Sequence, residues 1–354
     1  MFKRLQEVLK QQQIAAMLVS DGYNMRYLSG FRGATGYLYI SKQRQVLLTD
    51  SRYTTQASAE AADYEIKEVG NGQGYAEVLL TLLKEEGIVR LGFEDTHIIY
   101  GELRKLQETC GDVEWLPLGE SLNRLRMVKT AAELDCLRRA EAIGDKAFSY
   151  ILEHIRPGVT ELQIAAKLDY FMKEQGAAGN SFDTIVASGI HSALPHAIPS
   201  QKEIRKGDFV TLDFGCVFCG YCSDMTRTVM VGTAKAKQRE IYETVLNAQL
   251  AALAVIKPGL TGFEVDKIAR EVITEAGYGA YFGHGLGHSV GLFIHENPRL
   301  SPKDQERLQA NVVYTVEPGI YLPGFGGVRI EDMVVVTENG YENFTHSPKA
   351  LIEL

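Results

Sequence analysis

Five of the eight histidines fall in two short stretches, Ser188-Gly-Ile-His191-Ser-Ala-Leu-Pro-His196 and Gly283-His284-Gly-Leu-Gly-His288-Ser-Val-Gly-Leu-Phe-Ile-His295. Four carboxylates stand near them: Asp213 and Asp224 between the two stretches, then Glu317 and Glu331 after the second. Four carboxylates with one histidine make a hard, oxygen-rich donor set, which suits manganese or another divalent first-row ion better than a thiolate site would. Four negative charges exceed what one dication needs, so two metal ions are the economical reading. Two-metal hydrolytic sites hold their ions about 3.5–4 Å apart and clamp a water between them. Any one of these residues alone reads as a strand end or a turn. Together, in motifs rich in Gly and His, they predict a metal centre.

Strands must carry these groups. Gly207-Asp-Phe-Val-Thr-Leu-Asp213 alternates two faces with the period of a strand, and Phe218-Cys219-Gly220 follows as a turn. A loop of residues 218 and 219 would set Asp213 directly opposite Asp224, with Cβ atoms roughly 4.5–5.5 Å apart. Carboxylates that close repel unless a proton or cation sits between them. Glu317 and Glu331 flank a Gly/Pro-rich loop and predict a second such hairpin. Arg329 and Glu331 share a face there, because Ile330 points away.

The chain also echoes itself. Ile155-Arg-Pro-Gly-Val-Thr160 returns as Ile256-Lys-Pro-Gly-Leu-Thr261, and Gly207-Asp-Phe-Val-Thr-Leu-Asp213 as Asn311-Val-Val-Tyr-Thr-Val-Glu317. Element order and carboxylate position repeat together, which predicts two similar halves that each deliver a strand ending in a carboxylate. Thr130-Ala-Ala-Glu133 is a capping box opening a long helix. Before it, residues 2–12 form an amphipathic helix with Phe2, Leu5, Val8 and Leu9 on one face. Helices at 75–86 and 101–109 alternate with short apolar strands. The fold class expected is therefore α/β (α+β), with an α/β domain at 1–122 and a duplicated domain at 123–354.

Composition is that of a globular protein, 45% apolar and 23% charged. A net charge of −8 speaks against nucleic acid and against a membrane surface as partners. No apolar run approaches the ~20 residues of a membrane span. The first residues lack the apolar stretch of a signal peptide, so the expected compartment is the cytoplasm. Cys216, Cys219 and Cys222 are spaced like a thiolate metal motif. Strand parity sends Cys216 and Cys222 to opposite faces, which argues against a shared ion.

The order Asp213, Asp224, His288, Glu317, Glu331 lies in Asp213-Phe-Gly, Asp224-Met-Thr-Arg-Thr, Gly283-His-Gly-Leu-Gly-His288, Glu317-Pro-Gly-Ile-Tyr and Gly326-Gly-Val-Arg-Ile-Glu331-Asp. This pattern resembles the pita-bread metallopeptidases, in the branch of Xaa-Pro aminopeptidases and Xaa-Pro dipeptidases (prolidases). Leu28-Ser-Gly-Phe31 and Thr49-Asp-Ser-Arg-Tyr53 resemble the creatinase-type N-terminal domain of that branch.

The resemblance implies a creatinase-like first domain, a pita-bread second domain and two divalent ions, manganese first, with cobalt and zinc also compatible. Asp213 would chelate one metal; His288 and Glu317 would hold the other; Asp224 and Glu331 would bridge. His196 and His295 would line the proline pocket and hydrogen-bond the scissile carbonyl or the tetrahedral intermediate. His284 would be a further active-site histidine, and Arg329 would support the metal carboxylates from beside the substrate. In some relatives an arginine at the place of Arg299 holds the substrate's C-terminal carboxylate; aminopeptidases carry it too, so it does not choose between the two activities. Glu317 could carry the nucleophile's proton. The expected function is an Xaa-Pro aminopeptidase on proline-containing peptides, using a water activated by two metals, in a homodimer. The alternative is a dipeptidase restricted to Xaa-Pro; a more remote one is a metal-free creatinase-like hydrolase or binding module of the same fold.

Overall fold

The computed structural model describes residues 2–70 and 72–354. The Phe2 side chain, expected on the apolar face of the first helix, lies outside the described residues. The chain divides into two compact units, Met1–Arg126 and Met127–Leu354.

The first unit runs α1 (Phe2–Gln11), β1 (Ala16–Val19), α2 (Gly22–Ser29), β2 (Tyr37–Ser41), β3 (Gln45–Asp50), α3 (Thr54–Glu60), β4 (Glu65–Val69), α4 (Tyr75–Glu86), β5 (Arg90–Phe93), α5 (Tyr100–Cys110), β6 (Glu114–Pro117) and α6 (Asn123–Met127), whose last residue is counted with the second unit. Its six strands form one mixed sheet in the order β4-β3-β2-β1-β5-β6. Alternation along β1 divides the interior. Met17 and Val19 pack with Leu5, Val8 and Leu9 of α1, while Ala16 and Leu18 pack with Leu79, Leu82 and Leu83 of α4.

The second unit opens with α7 (Ala131–Leu152), α8 (Glu161–Glu174), β7 (Gly179–Asn180), β8 (Ile185–Ser188), β9 (Phe209–Phe214), β10 (Cys216–Phe218), β11 (Tyr221–Cys222) and β12 (Met225–Met230). It continues through α9 (Ala236–Val255), α10 (Gly262–Glu275), β13 (Gly287–Ser289), β14 (Glu296–Leu300), β15 (Val313–Val316), β16 (Gly319–Leu322), β17 (Gly326–Arg329), β18 (Asp332–Val336) and β19 (Tyr341–Asn343).

The echo is structural. Thr160 and Thr261 each cap the next helix in a capping box, with Gln163 and Glu264 at the third position. Gly158 and Gly259 share a positive φ, 89° and 96°. Two helix pairs cover two sheets. Ile143, Phe148 and Leu168 of α7 and α8 bury against Val210, Leu212 and Val229. Tyr242, Val245 and Ala269 of α9 and α10 bury against Tyr314, Val328 and Val334.

One register differs from expectation. The turn of the first hairpin is Cys219-Gly220, not 218 and 219, because Val217 pairs with Cys222 and Phe218 with Tyr221. Both turn residues have positive φ, 51° and 90°, the backbone of a two-residue turn whose twist matches the flanking strands. Asp213 consequently pairs with Thr226, not Asp224. The slip is two residues, so it preserves parity, and both aspartates still face one cavity.

Candidate metal centre

Asp213 is the next-to-last residue of β9, and Asp224 precedes β12. Between them the two arms of the hairpin close tightly: a Cβ on Gly215 would lie 1.9 Å from Ser223 O, so only glycine fits. On the second hairpin, Val316 pairs with Asp332 and Gly319 with Arg329. The register between these pairs sets Glu317 opposite Glu331. His288 comes from β13, whose Gly287 lies against Thr315 O with no room for a side chain. All five side chains line one cavity of about 690 Å³.

The donors are held by specific partners. Arg329 donates through Nη2 to Asp213 Oδ2 at 2.6 Å and through Nη1 to Tyr321 Oη at 2.7 Å. Thr226 Oγ1 accepts from Arg329 Nε at 3.0 Å and donates to Glu331 Oε2 at 2.7 Å. Thr315 Oγ1 accepts from His288 N and donates to Glu317 Oε1. Behind Asp224, the fully buried Glu141 of α7 accepts from Asp224 N at 3.3 Å and from Thr345 Oγ1 at 2.6 Å. Burial pushes its carboxyl up to about 8.

Electrostatics shows what this set lacks. Burial, then the neighbouring carboxylates, raises Asp224 and Glu331 well above the usual carboxylate range. Burial raises Glu317 to about 8, with Arg329 opposing and Asp213 adding to the rise. His288 is lowered to about 3, first by burial and then by His295, so its imidazole is neutral. Its Nδ1 lies 3.1 Å from Ser289 O and must carry the proton there. Nε2 therefore presents a lone pair, 3.4 Å from Asp224 Oδ2 and 3.5 Å from Glu317 Oε1. Asp213 Oδ1 is buried with no hydrogen-bond partner among the described residues. Lone pairs aimed at lone pairs, beside an orphaned carboxylate oxygen, fit divalent cations. Ligand atoms of Asp224, His288 and Glu331 lie within 4.8 Å of one another, as one ion would require.

The other predicted residues surround these donors. His196, His284, His295, Arg299 and Arg329 line the same cavity, with Pro195, Ile198, Pro199 and Phe182 as an apolar wall. The His295 ring meets that of His288 edge to face, centroids 4.6 Å apart. Burial, Arg299 and His196 lower its pKa. His284 Nδ1 lies 2.8 Å from Gly285 O and its Nε2 2.9 Å from Tyr321 Oη. Burial and Arg329 bring it down to about 4, so it is neutral.

Cys216 and Cys222 turn to different neighbours. Cys216 Sγ donates to Ala140 O at 3.4 Å, whereas Cys222 Sγ points to Leu292 O at 3.6 Å. Sequence reasoning missed Thr226, Tyr321 and Glu141. Thr226 was visible as the residue between Asp224-Met and Arg227; nothing marked a carboxylate inside a long helix as a partner of Asp224.

Residues 135–338 match the family model described as Metallopeptidase family M24, and residues 1–128 match Creatinase/Prolidase N-terminal domain. A Pyrococcus horikoshii protein named Xaa-Pro dipeptidase is 39% identical, covering 99% of this chain and 98% of its own. The solved structure of an Xaa-Pro dipeptidase from Bacillus anthracis superposes with a TM-score of 0.97 at 46% identity, over 100% of this chain and 99% of the other. That of an X-Pro aminopeptidase from Thermotoga maritima gives 0.91 at 39% identity, over 98% and 100%.

Proposed function

The chain belongs to metallopeptidase family M24, and from that premise we propose that it is a dinuclear Xaa-Pro dipeptidase. The observation that carries this reading is the single cavity holding Asp213, Asp224, His288, Glu317 and Glu331 together with His196, His295 and Arg299. The aminopeptidase activity expected from the sequence gives way to the dipeptidase alternative. Relatives over the full length bear the dipeptidase name, and an arginine lies beside the site for a free carboxylate.

Asp213, Asp224, His288, Glu317 and Glu331 would together hold the two cations. Manganese suits this set, and cobalt and zinc also fit. Bound cations would supply Lewis-acid polarisation and a nucleophilic water at neutral pH. The protein's own residues do the rest. Proline offers no N–H, so recognition must fall on the carbonyl, the ring and the carboxylate. His196 and His295 provide ring N–H donors for the carbonyl oxygen. Ile198, Pro199 and Pro195 give the pyrrolidine an apolar wall. Arg299 pairs with the C-terminal carboxylate. Glu317 takes a proton at its carboxylate and passes it to the leaving imino nitrogen. A homodimer in the cytoplasm completes this reading; sedimentation and cell fractionation test those two parts.

The discriminating experiment compares Xaa-Pro with Xaa-Pro-Yaa substrates on manganese-loaded protein. Moving the carboxylate away from Arg299 removes a charge-assisted contact, so kcat/KM for the tripeptide should fall ~10–100-fold. Equal rates on both would reinstate the aminopeptidase.

A further inference from the structure

Glu161 is the first residue of α8, and its side chain is 0% exposed. Both carboxylate oxygens are saturated. Oε1 accepts from Ser188 N and Ser188 Oγ, each at 2.8 Å. Oε2 accepts from Ser200 N at 3.2 Å and Ser200 Oγ at 2.8 Å. His191 Nδ1 lies 3.1 Å from both oxygens. Lys202 Nζ supports the cluster, donating to Ser188 Oγ and Asp208 Oδ2. Burial alone would raise this carboxyl; the hydrogen bonds from Ser188, Ser200 and His191 outweigh it and hold it below the ordinary carboxylate value. A buried charge so fully paired is costly to break by removing one side.

What Glu161 grips is the two ends of one segment. Ser188 and Ser200 bracket residues 189–199, and of these Pro195, His196, Ala197, Ile198 and Pro199 line the cavity. The middle of the segment is tied to the metal-site scaffold. Ser192 Oγ accepts from Gly327 N at 2.8 Å, and Pro195 O accepts from Arg329 Nη1 at 3.3 Å. A chain of contacts thus runs from Glu161 through the segment to Arg329, which holds Asp213.

The duplicated half has Gly262 in the same place, directly after the capping Thr261. A Cβ there would lie 2.0 Å from Arg299 O. Here the helix start seats the strand of Arg299 by having no side chain. In the first half it seats the segment of His196 with a carboxylate.

We propose that Glu161 and Gly262 are paired positioning residues for substrate recognition, Glu161 fixing the His196 segment and Gly262 letting the Arg299 strand close on α10. The inference rests on the dipeptidase reading of the cavity. Four preparations of the metal-loaded full chain test it: wild type, Glu161→Gln, Ser200→Ala and Gly262→Ala, each on an Xaa-Pro dipeptide and on its C-terminal amide. Glu161→Gln should raise KM on both substrates ~10-fold or more, as for lost hydrogen bonds to a charge, with kcat within ~3-fold. Ser200→Ala should move KM the same way by less, and guards against a Glu161 variant that fails to fold. Gly262→Ala should raise KM for the dipeptide but not for the amide, which has no carboxylate for Arg299. Amide hydrogen exchange should quicken in 189–199 in Glu161→Gln while β9 and β18 keep their protection, with metal per chain unchanged. An unmoved KM, or parallel loss of kcat and metal, overturns the positioning role. Wild-type protein inert on Xaa-Pro would overturn the dipeptidase reading instead. The exchange experiment then still decides on the clamp, since unchanged exchange in 189–199 would overturn it.

Discussion

The two carboxylate hairpins reach the same cavity through different registers. In the second, the pairing of Val316 with Asp332 and Gly319 with Arg329 sets Glu317 directly against Glu331. In the first, Asp213 faces Thr226, and Asp224 falls opposite Gly215. A two-residue offset leaves side-chain parity intact, so all four carboxylates line the cavity while only one pair is directly opposed. The offset also puts a hydroxyl opposite Asp213. That hydroxyl, Thr226 Oγ1, donates to Glu331 of the other hairpin. Strand parity is therefore what a duplicated site of this kind must keep, and direct opposition is optional.

Removing one carboxylate from either hairpin should have the largest effect. Asp213→Asn and Glu331→Gln should each lose metal and drop kcat by ~10³-fold or more, since metal catalysis supplies several kcal/mol. Metal analysis alongside kcat checks this. A loss confined to one of the two would show that the halves do not contribute to one centre.

The link between the halves comes next. Thr226→Val removes a donor to Glu331 and an acceptor from Arg329, and Arg329→Lys removes the fork that spans Asp213, Thr226 and Tyr321. Loss of such supporting contacts should weaken metal affinity ~10–100-fold. Titration of stripped protein with manganese measures it.

A smaller effect concerns the protein without metal. The folded state holds Glu317 at about 8 and Asp224 and Glu331 well above their ordinary values. Groups raised on folding bind more protons folded than unfolded, so stability falls as pH rises through that range. His288 and His284 are lowered to about 3 and 4, and their contribution is lost as pH falls below 6.5. Tm of the chelator-treated protein should therefore rise between pH 8 and about 6.5, by roughly 2–4 °C per kcal/mol recovered. Added metal should flatten this dependence. A Tm that climbs steadily toward pH 8 without metal would contradict the crowding of carboxylates.

The smallest change belongs to the turn. Cys219 is exposed at the tip of the first hairpin, so Cys219→Ser should shift stability by no more than ~0.5 kcal/mol. Metal content should stay at the wild-type value, which mass spectrometry of the native protein reads directly.

Much of this arrangement was legible in the sequence because its signals are periodic or chemically loud. Alternation exposed the strand ending at Asp213, and the Pro-Gly echo exposed the two halves. The register was not legible. Phe218, Cys219 and Gly220 offer more than one turn, and only the observed φ values at 219 and 220 choose between them. Glu161 was silent for another reason. An acidic residue in a helix's first turn ordinarily reads as a solvated partner of the helix dipole. Its role depends on Ser188 and Ser200, which lie 27 and 39 residues away. Glu141 needs Thr345, more distant still, and no local pattern announces such a contact.

Both hairpins and His288 are proposed to build one centre for two divalent cations. Equilibrium dialysis of chelator-stripped protein against manganese, with metal counted per chain, tests it most directly. Two ions per chain are expected, with Xaa-Pro hydrolysis returning as they bind. No stoichiometric binding, or binding undiminished in both Asp213→Asn and Glu331→Gln, would contradict it.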